Sequence, residues 1–250
     1  MTYVSFLGGL MTTFSFPVVT FLLSVVKYPF LVLLYLAGAF FWISGALLKA
    51  SLWMAYQDSV WGTIVAGVII DGGCRVLFAW TYLQIRPKLL LLIGEQQRAE
   101  IGKTMNYRSS SLAAGLGYGT IQAITLYGLV LSESTGPATY YLASCPNVSI
   151  FLLQSIVALC FLIMAPFLQY AVMHAMYHQQ FMHLIAGIGI HAFAAFCSVA
   201  AATDTPGMCG ISVVGALVAA IGSIVYSACV LHRNGIDDTS SKYSTSAKLL

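Results

Sequence analysis

Apolar runs, each about twenty residues long, alternate with short polar segments along almost the whole chain, and such a run can cross a hydrocarbon core of roughly 30 Å as one helix. The pattern predicts an all-α polytopic membrane protein with seven transmembrane helices. Pro87 is expected to end the third of them. The predicted spans are residues 4–26, 30–54, 60–84, 109–131, 149–172, 181–202 and 208–231.

Composition excludes an ordinary water-soluble domain. Hydrophobic residues make up 59% of the chain, charged residues make up 8%, and the mean hydropathy is +0.87. Soluble domains carry about 25% charged residues. We therefore predict one seven-helix transmembrane domain over residues 1–232 and a cytosolic polar tail over residues 233–250. The lipid bilayer is the expected surrounding, and no cofactor or nucleic acid is expected.

The distribution of basic residues predicts the orientation, because cytosolic connections are enriched in Lys and Arg. The second, fourth and sixth connections hold neither residue. The first, third and fifth connections and the tail hold Lys27, Arg86, Lys88, Arg98, Lys103, Arg108, Arg233, Lys242 and Lys248. The N-terminus is therefore expected to be lumenal or extracellular and the C-terminus cytosolic.

The fourth connection, predicted to be lumenal, contains the sequon Asn147-Val148-Ser149. Asn147 is a possible glycosylation site, since such sequons are modified on the lumenal side. Cys145 in the same connection and Cys209 near the sixth both face an oxidising space in this topology. They either form a disulfide or are two unrelated thiols.

Asp71 lies about halfway along the third span, where an ionised carboxylate needs a partner or a function. Arg75 is four residues further on the same helical face, so the sequence predicts an intramembrane ion pair between Asp71 and Arg75. Lys49 of the second span could also reach Asp71. Aspartyl chemistry requires two carboxylates that share a site. No span contains a second Asp or Glu.

Four of the five histidines lie between residues 174 and 191. His174 and His178 are four residues apart and His183 follows, a spacing found among metal ligands but also compatible with rings that face lipid headgroups. His191 lies inside the sixth span and is expected to point into a close helix contact. The residues that share its helical face are small: Gly187, Ala194, Ala195 and Ser198. A buried assembly role is the main interpretation of His191, and a ligand or catalytic role is the alternative.

The segment "AAGLGYGTIQA", residues 113–123, has the wrong spacing for a dinucleotide fingerprint and lies within an apolar helix. Gly115, Gly119 and Ala123 recur at every fourth position. They form the small-xxx-small stripe with which membrane helices pack closely. Gly117 is expected to face away from this stripe and to be dispensable to it.

Several short segments occur in the same order as in a known family. They are "AGAFFW" in the second span, Arg75 and the aromatic residues after it, "GLGYG" in the fourth span, "YYLAS" in the fourth connection and "GIGIHAF" in the sixth span. Over roughly residues 30–230 the chain resembles the anterior-pharynx-defective (Aph-one) family, a subunit of gamma-secretase. That family has seven spans with a lumenal N-terminus, as predicted for this chain.

The resemblance implies a non-catalytic scaffold of the intramembrane aspartyl protease complex that cleaves type I membrane proteins. Its implied partners are a presenilin-like catalytic subunit, a nicastrin-like subunit and a presenilin enhancer subunit, in membranes of the endoplasmic reticulum, Golgi, endosomes or cell surface. Gly115, Gly119 and His191 correspond to assembly residues. Two positions depart from the family: Ala123 replaces a third glycine, and a fifth-helix histidine is missing near Ala165.

Two functions of other classes remain as alternatives. A seven-helix metal-dependent membrane hydrolase would use His174, His178 and His191. A seven-span receptor or transporter is disfavoured by the short connections and the single intramembrane ion pair.

Overall fold

Seven α-helices run through the part of the chain that the computed structural model describes, which is residues 3–56, 60–92, 106–133, 141–142, 144–202, 205 and 207–247. A π-helical turn, Phe21–Val25, prolongs the first helix, and a 3-10 turn, Ala200–Ala202, follows the sixth. The helices are α1 Tyr3–Thr20, α2 Pro29–Tyr56, α3 Val60–Leu92, α4 Tyr107–Glu133, α5 Ile150–His178, α6 Phe181–Val199 and α7 Met208–Ala247.

The predicted spans correspond to these helices, with two extensions. Helix α3 continues through Pro87 to Leu92, so the expectation that this proline ends the helix is wrong. A proline removes a single hydrogen bond, and a helix can pass it with a kink. Helix α7 continues into residues 233–247, the segment predicted to be a polar tail. The division of the chain at residue 232 stays a prediction.

Six of the seven helices are long and apolar enough to cross a membrane, all except α4. Polar side chains such as Ser110, Ser111 and Gln122 lower the hydropathy of α4. These three side chains are buried within the protein. A helix enclosed by other helices does not need the apolar surface that lipid demands.

Helix α5 is the centre of the bundle and contacts α1, α3, α4, α6 and α7. Its most apolar stretch is 61% buried, against 17% to 39% for the other five candidate spans. The hydroxyl of Ser149 caps its start by accepting a hydrogen bond from the Leu152 amide at 3.4 Å. Helix α4 lies between α2 and α5, and the main apolar core forms among these three helices and α3.

A short antiparallel hairpin, β1 Tyr141–Leu142 with β2 Cys145–Ser149, precedes α5. Cys145 forms a disulfide with Cys209 in the first turn of α7, so the paired alternative is the correct one. The Ser144 hydroxyl donates a hydrogen bond of 2.7 Å to the Ala201 carbonyl. The hairpin thereby joins the start of α5 to the end of α6 and the start of α7. Asn147 lies on β2, and its glycosylation stays a prediction.

Replacing Cys145 and Cys209 together by serine is expected to lower the free energy of unfolding, because the disulfide links residues 64 positions apart. The loss predicted by the chain-entropy relation is about 4 kcal/mol for a loop of this length. Thermal unfolding of the purified full chain measures it. Cys229→Ser, which changes a free and exposed cysteine, is the control and should leave the melting temperature unchanged. A double variant as stable as the native chain would contradict this prediction.

Candidate functional site

The stripe of small residues on α4 packs against α5. A Cβ atom built at Gly119 would lie 2.7 Å from the Cβ of Ala165 and 3.0 Å from the carbonyl oxygen of Leu162. One built at Gly115 would overlap the backbone of Pro166. Real Cβ atoms do not approach so closely, so any side chain at these two positions would push the helices apart. The predicted packing face is therefore a contact between α4 and α5 of the same chain.

The third position of the stripe, Ala123, is fully buried in the same interface. It belongs to a core cluster that includes Ala158 and Leu162 of α5. The methyl group of alanine fits here, where the approach is less close than at Gly115 and Gly119. An alanine at this position therefore preserves the packing face.

Pro166 changes the surface that α5 presents to α4. Its ring nitrogen has no hydrogen, so the carbonyl of Leu162 loses the hydrogen bond that it would receive within the helix. That carbonyl lies toward Gly119, and its oxygen would be 3.0 Å from a Cβ atom built there. Ala165 is also fully buried against α4. Near Ala165, where the sequence lacks a fifth-helix histidine, the backbones of α4 and α5 are in close contact.

Gly117 faces away from α5, as predicted, but it packs against a second helix. A Cβ at Gly117 would overlap the Tyr35 carbonyl of α2, and a Cβ at Gly38 of α2 would overlap the Ala114 carbonyl of α4. Helix α4 is thus in backbone contact on both sides. The sequence analysis missed this second face, although Gly38, between two alanines in "AGAFFW", was an available signal.

Asp71 is the centre of a buried polar cluster between four helices. It is 4% exposed. Lys49 Nζ of α2 lies 2.6 Å from its Oδ1, and the Tyr118 hydroxyl of α4 donates to the same oxygen at 3.0 Å. Nε2 of His191 on α6 lies 3.1 Å from its Oδ2. An ionised carboxylate only accepts hydrogen bonds, so Nε2 carries the proton. The cluster ties α2, α3, α4 and α6 together at one depth.

The sequence predicted an ion pair between Asp71 and Arg75. In the structure the salt bridge of Asp71 forms with Lys49 and not with Arg75. The guanidinium of Arg75 lies over the Tyr118 ring, 4.0 Å from its centroid, and donates to the Ala165 carbonyl at 3.1 Å. Lys49 lies one helix away but has a long, flexible stem that reaches the carboxylate. Arg75 therefore connects α3 to α5 instead of neutralising its own neighbour on α3.

The histidines separate into two locations. The rings of His174 and His178 lie 4.4 Å apart between centroids, and those of His174 and His183 lie 5.0 Å apart. His183 contacts the Tyr226 hydroxyl. His191 is eight residues beyond His183 on α6, about 12 Å along the helix axis. The three ligands that the hydrolase alternative requires are not together.

Within the residues that the structure describes, no three His, Cys, Asp or Glu side chains are arranged to hold a metal ion. The metal-dependent hydrolase is therefore not favoured.

Comparison with known proteins shows similarity over most of the chain. A family model described as Aph-1 protein matches residues 4–234. An Arabidopsis thaliana protein named gamma-secretase subunit APH1-like is 29% identical over 140 residues, which are 53% of this chain and 56% of that protein. A Danio rerio protein named gamma-secretase subunit Aph-1b is 25% identical over 150 residues, 56% of this chain and 57% of that protein.

A Mus musculus protein named gamma-secretase subunit APH-1B is 26% identical over 150 residues, 56% of this chain and 56% of that protein. The chain thus spans little more than half the length of the curated relatives it matches.

Gly117→Ala is expected to destabilise the chain by about 1–3 kcal/mol, because the added methyl group would overlap the Tyr35 carbonyl. Gly128→Ala is the matched control, since no atom lies within 4 Å of a Cβ built there on the same helix. The control should be neutral or more stable by roughly 0.5–1 kcal/mol from helix propensity. Thermal unfolding of both variants provides the comparison. Equal effects at the two glycines would contradict the close contact with α2.

A double-mutant cycle on Lys49→Met and Asp71→Asn is expected to give a coupling energy of about 1–3 kcal/mol, because the two side chains form a salt bridge. The cycle on Arg75→Met and Asp71→Asn should give a smaller coupling. Unfolding free energies of the single and double variants supply both values. A stronger coupling to Arg75 than to Lys49 would favour the ion pair predicted from sequence.

Proposed function

The chain belongs to the Aph-1 family, and on this premise we propose that it is a non-catalytic scaffold subunit of a gamma-secretase complex. The observation that carries the proposal is the family match over residues 4–234. The names of the three relatives give the complex in which such a chain would act. The complex is proposed to cleave type I membrane proteins, with this chain supporting its assembly and stability.

The polar cluster supports a structural role over a catalytic one. Asp71 is the single acidic residue in the six candidate spans of the sequence. Its oxygens are engaged by Lys49, Tyr118 and His191 of the same chain. An intramembrane aspartyl protease needs two carboxylates that share a site. Asp71 has no such partner carboxylate in these spans, and its observed contacts join helices.

We propose seven membrane crossings, with α4 as the additional span. Its 27 residues give a length of about 40 Å, enough to cross a hydrocarbon core, and its neighbours α2 and α5 shield its polar residues from lipid. Seven crossings and the positions of the basic residues put the N-terminus in the lumen or outside the cell and the C-terminus in the cytosol. The expected locations are the endoplasmic reticulum, Golgi, endosomal and plasma membranes.

Gly115, Gly119, Ala123 and His191 are proposed to support assembly indirectly. The two glycines pack against α5 of their own chain, and His191 binds Asp71 of its own chain. These residues are proposed to fix the arrangement of the helices, and the outer surfaces of those helices then bind the partner subunits. The proposed partners are a presenilin-like catalytic subunit, a nicastrin-like subunit and a presenilin enhancer subunit.

Purifying the full chain from native membranes in mild detergent is expected to recover presenilin-like and nicastrin-like proteins with it. Mass spectrometry of the recovered complex identifies them. A gently solubilised chain that is folded but carries neither partner would overturn the proposed function.

Gly119→Leu is expected to reduce the amount of assembled complex at least tenfold, because a leucine cannot fit against Ala165 and Leu162. Gly128→Leu is the control on the same helix, where no atom lies within 4 Å of an added Cβ. Native gel electrophoresis of both variants measures the complex. Normal complex in Gly119→Leu cells would show that this packing face is not needed for assembly.

A further inference from the structure

A cluster of aromatic and imidazole rings lies at the end of the bundle opposite the hairpin, where α5 ends and α6 begins. Tyr107, the first residue of α4, lies 6.0 Å from His178 and 6.2 Å from His174 between ring centroids. His174 is 2% exposed, and its ring lies 5.0 Å from that of His183. Nδ1 of His183 contacts the Tyr226 hydroxyl of α7. The cluster thus joins α4, α5, α6 and α7.

The charges that surround the centre of this cluster are basic. Those that act on His174 come from His178, His183 and Arg108. The Arg108 guanidinium lies over the Tyr107 ring, 5.8 Å from its centroid, and its Nε donates to the Tyr107 hydroxyl at 3.5 Å. Arginine keeps its charge in proteins, and each imidazole supplies at least one N–H donor. The group that complements this arrangement is therefore an anion that accepts several hydrogen bonds.

The three basic side chains are accessible from outside the bundle. His178 is exposed, and Arg108 and His183 are partly exposed. His178 is the last residue of α5, and Gln179 after it has a left-handed conformation with φ 56°. This turn places His178 of α5 and His183 of α6 against the same buried ring, that of His174. Arg108, His178 and His183 therefore form one basic surface.

This basic surface lies at a boundary of the membrane. The apolar span of α5 ends at His178, and that of α6 begins at Phe181. Phe181 is 70% exposed and Met182 is 75% exposed, although both are large and apolar. Phospholipid headgroups lie at this depth, with their acyl chains directly beneath, and basic pockets between transmembrane helices bind anionic headgroups. A molecule with an anionic head and an apolar tail complements both features.

A phosphomonoester headgroup complements the basic surface better than a phosphodiester does. It carries a charge of about −1.5 to −2 at neutral pH and three terminal oxygens that accept strong hydrogen bonds. Three separate basic side chains can each donate to one of these oxygens, and such charge-assisted bonds are the stronger ones. A phosphodiester has fewer terminal oxygens and a smaller charge.

We propose that Arg108, His178 and His183 form a binding site for the phosphomonoester headgroup of a membrane phospholipid, with Phe181 and Met182 against its acyl chain. In the proposed orientation the lipid belongs to the cytosolic leaflet. The site goes beyond the proposed scaffold role and does not depend on it, because every group in the site belongs to this chain.

Binding of dioctanoyl phosphatidic acid to the purified full chain tests the site, with microscale thermophoresis in a neutral detergent as the measurement. His178→Phe combined with His183→Phe is expected to weaken binding about tenfold, because phenylalanine keeps a ring but has no N–H donor. His232→Phe changes an exposed histidine further along α7 and should leave the affinity unchanged.

Two other ligands separate a lipid site from general attraction of anions. Dioctanoyl phosphatidylserine should bind about tenfold more weakly than phosphatidic acid, because its phosphate is a diester. Glycerol 3-phosphate has the same headgroup without acyl chains, and it should not bind at the same concentrations. Equal binding of the two lipids would overturn the proposal, and so would tight binding of glycerol 3-phosphate.

Thermal unfolding shows whether each variant is folded. If the double variant is not, His178→Phe alone repeats the test, since its side chain is exposed, and it is expected to weaken binding about threefold. Unchanged affinity in a folded variant, an equal loss in His232→Phe, or no binding of phosphatidic acid to the native chain would each contradict the site.

Discussion

The close approach of α4 to both α2 and α5 is the constraint on which the other features of this structure depend. Helices in lipid gain little from the hydrophobic effect when they associate, so their stability comes from dense van der Waals contact. Glycines at positions 38, 115, 117 and 119 provide it by letting backbones touch. Because α4 is enclosed on both sides, it can carry polar residues that a lipid-facing helix could not.

The polar cluster follows from that arrangement. Tyr118 lies between Gly117 and Gly119 in sequence, so the contacts that position these glycines also position its ring and hydroxyl. The hydroxyl meets Asp71 and the ring meets Arg75. One tyrosine thereby links an acid and a base on α3 that do not pair with each other. Lys49 and His191 then supply the remaining contacts to the carboxylate.

These features support the proposed role of a scaffold subunit, which holds its helices in a fixed arrangement. The packing face, the ion pair and the Cys145–Cys209 disulfide each join segments distant in the sequence. A scaffold requires such rigidity because its outer surfaces must keep a fixed relation to each other. The salt bridge between Lys49 and Asp71 adds to these links by joining α2 to α3.

Much of the fold was predictable from sequence, because the length and apolarity of each run correspond to membrane thickness. The stripe at Gly115, Gly119 and Ala123 was also predictable, since helical spacing places these residues on one face. Local spacing could not identify the partner of Asp71: Arg75 has the right separation, but a neighbouring helix presents Tyr118 and Ala165 to it.

The tertiary structure likewise decided three further features. These are the second face of α4 at Gly117, the packing of the glycine stripe against α5, and the pairing of Cys145 with Cys209. The sequence determines which residues share a helix face, because that depends on periodicity alone. Only the packing of the helices determines which helix or side chain each face contacts.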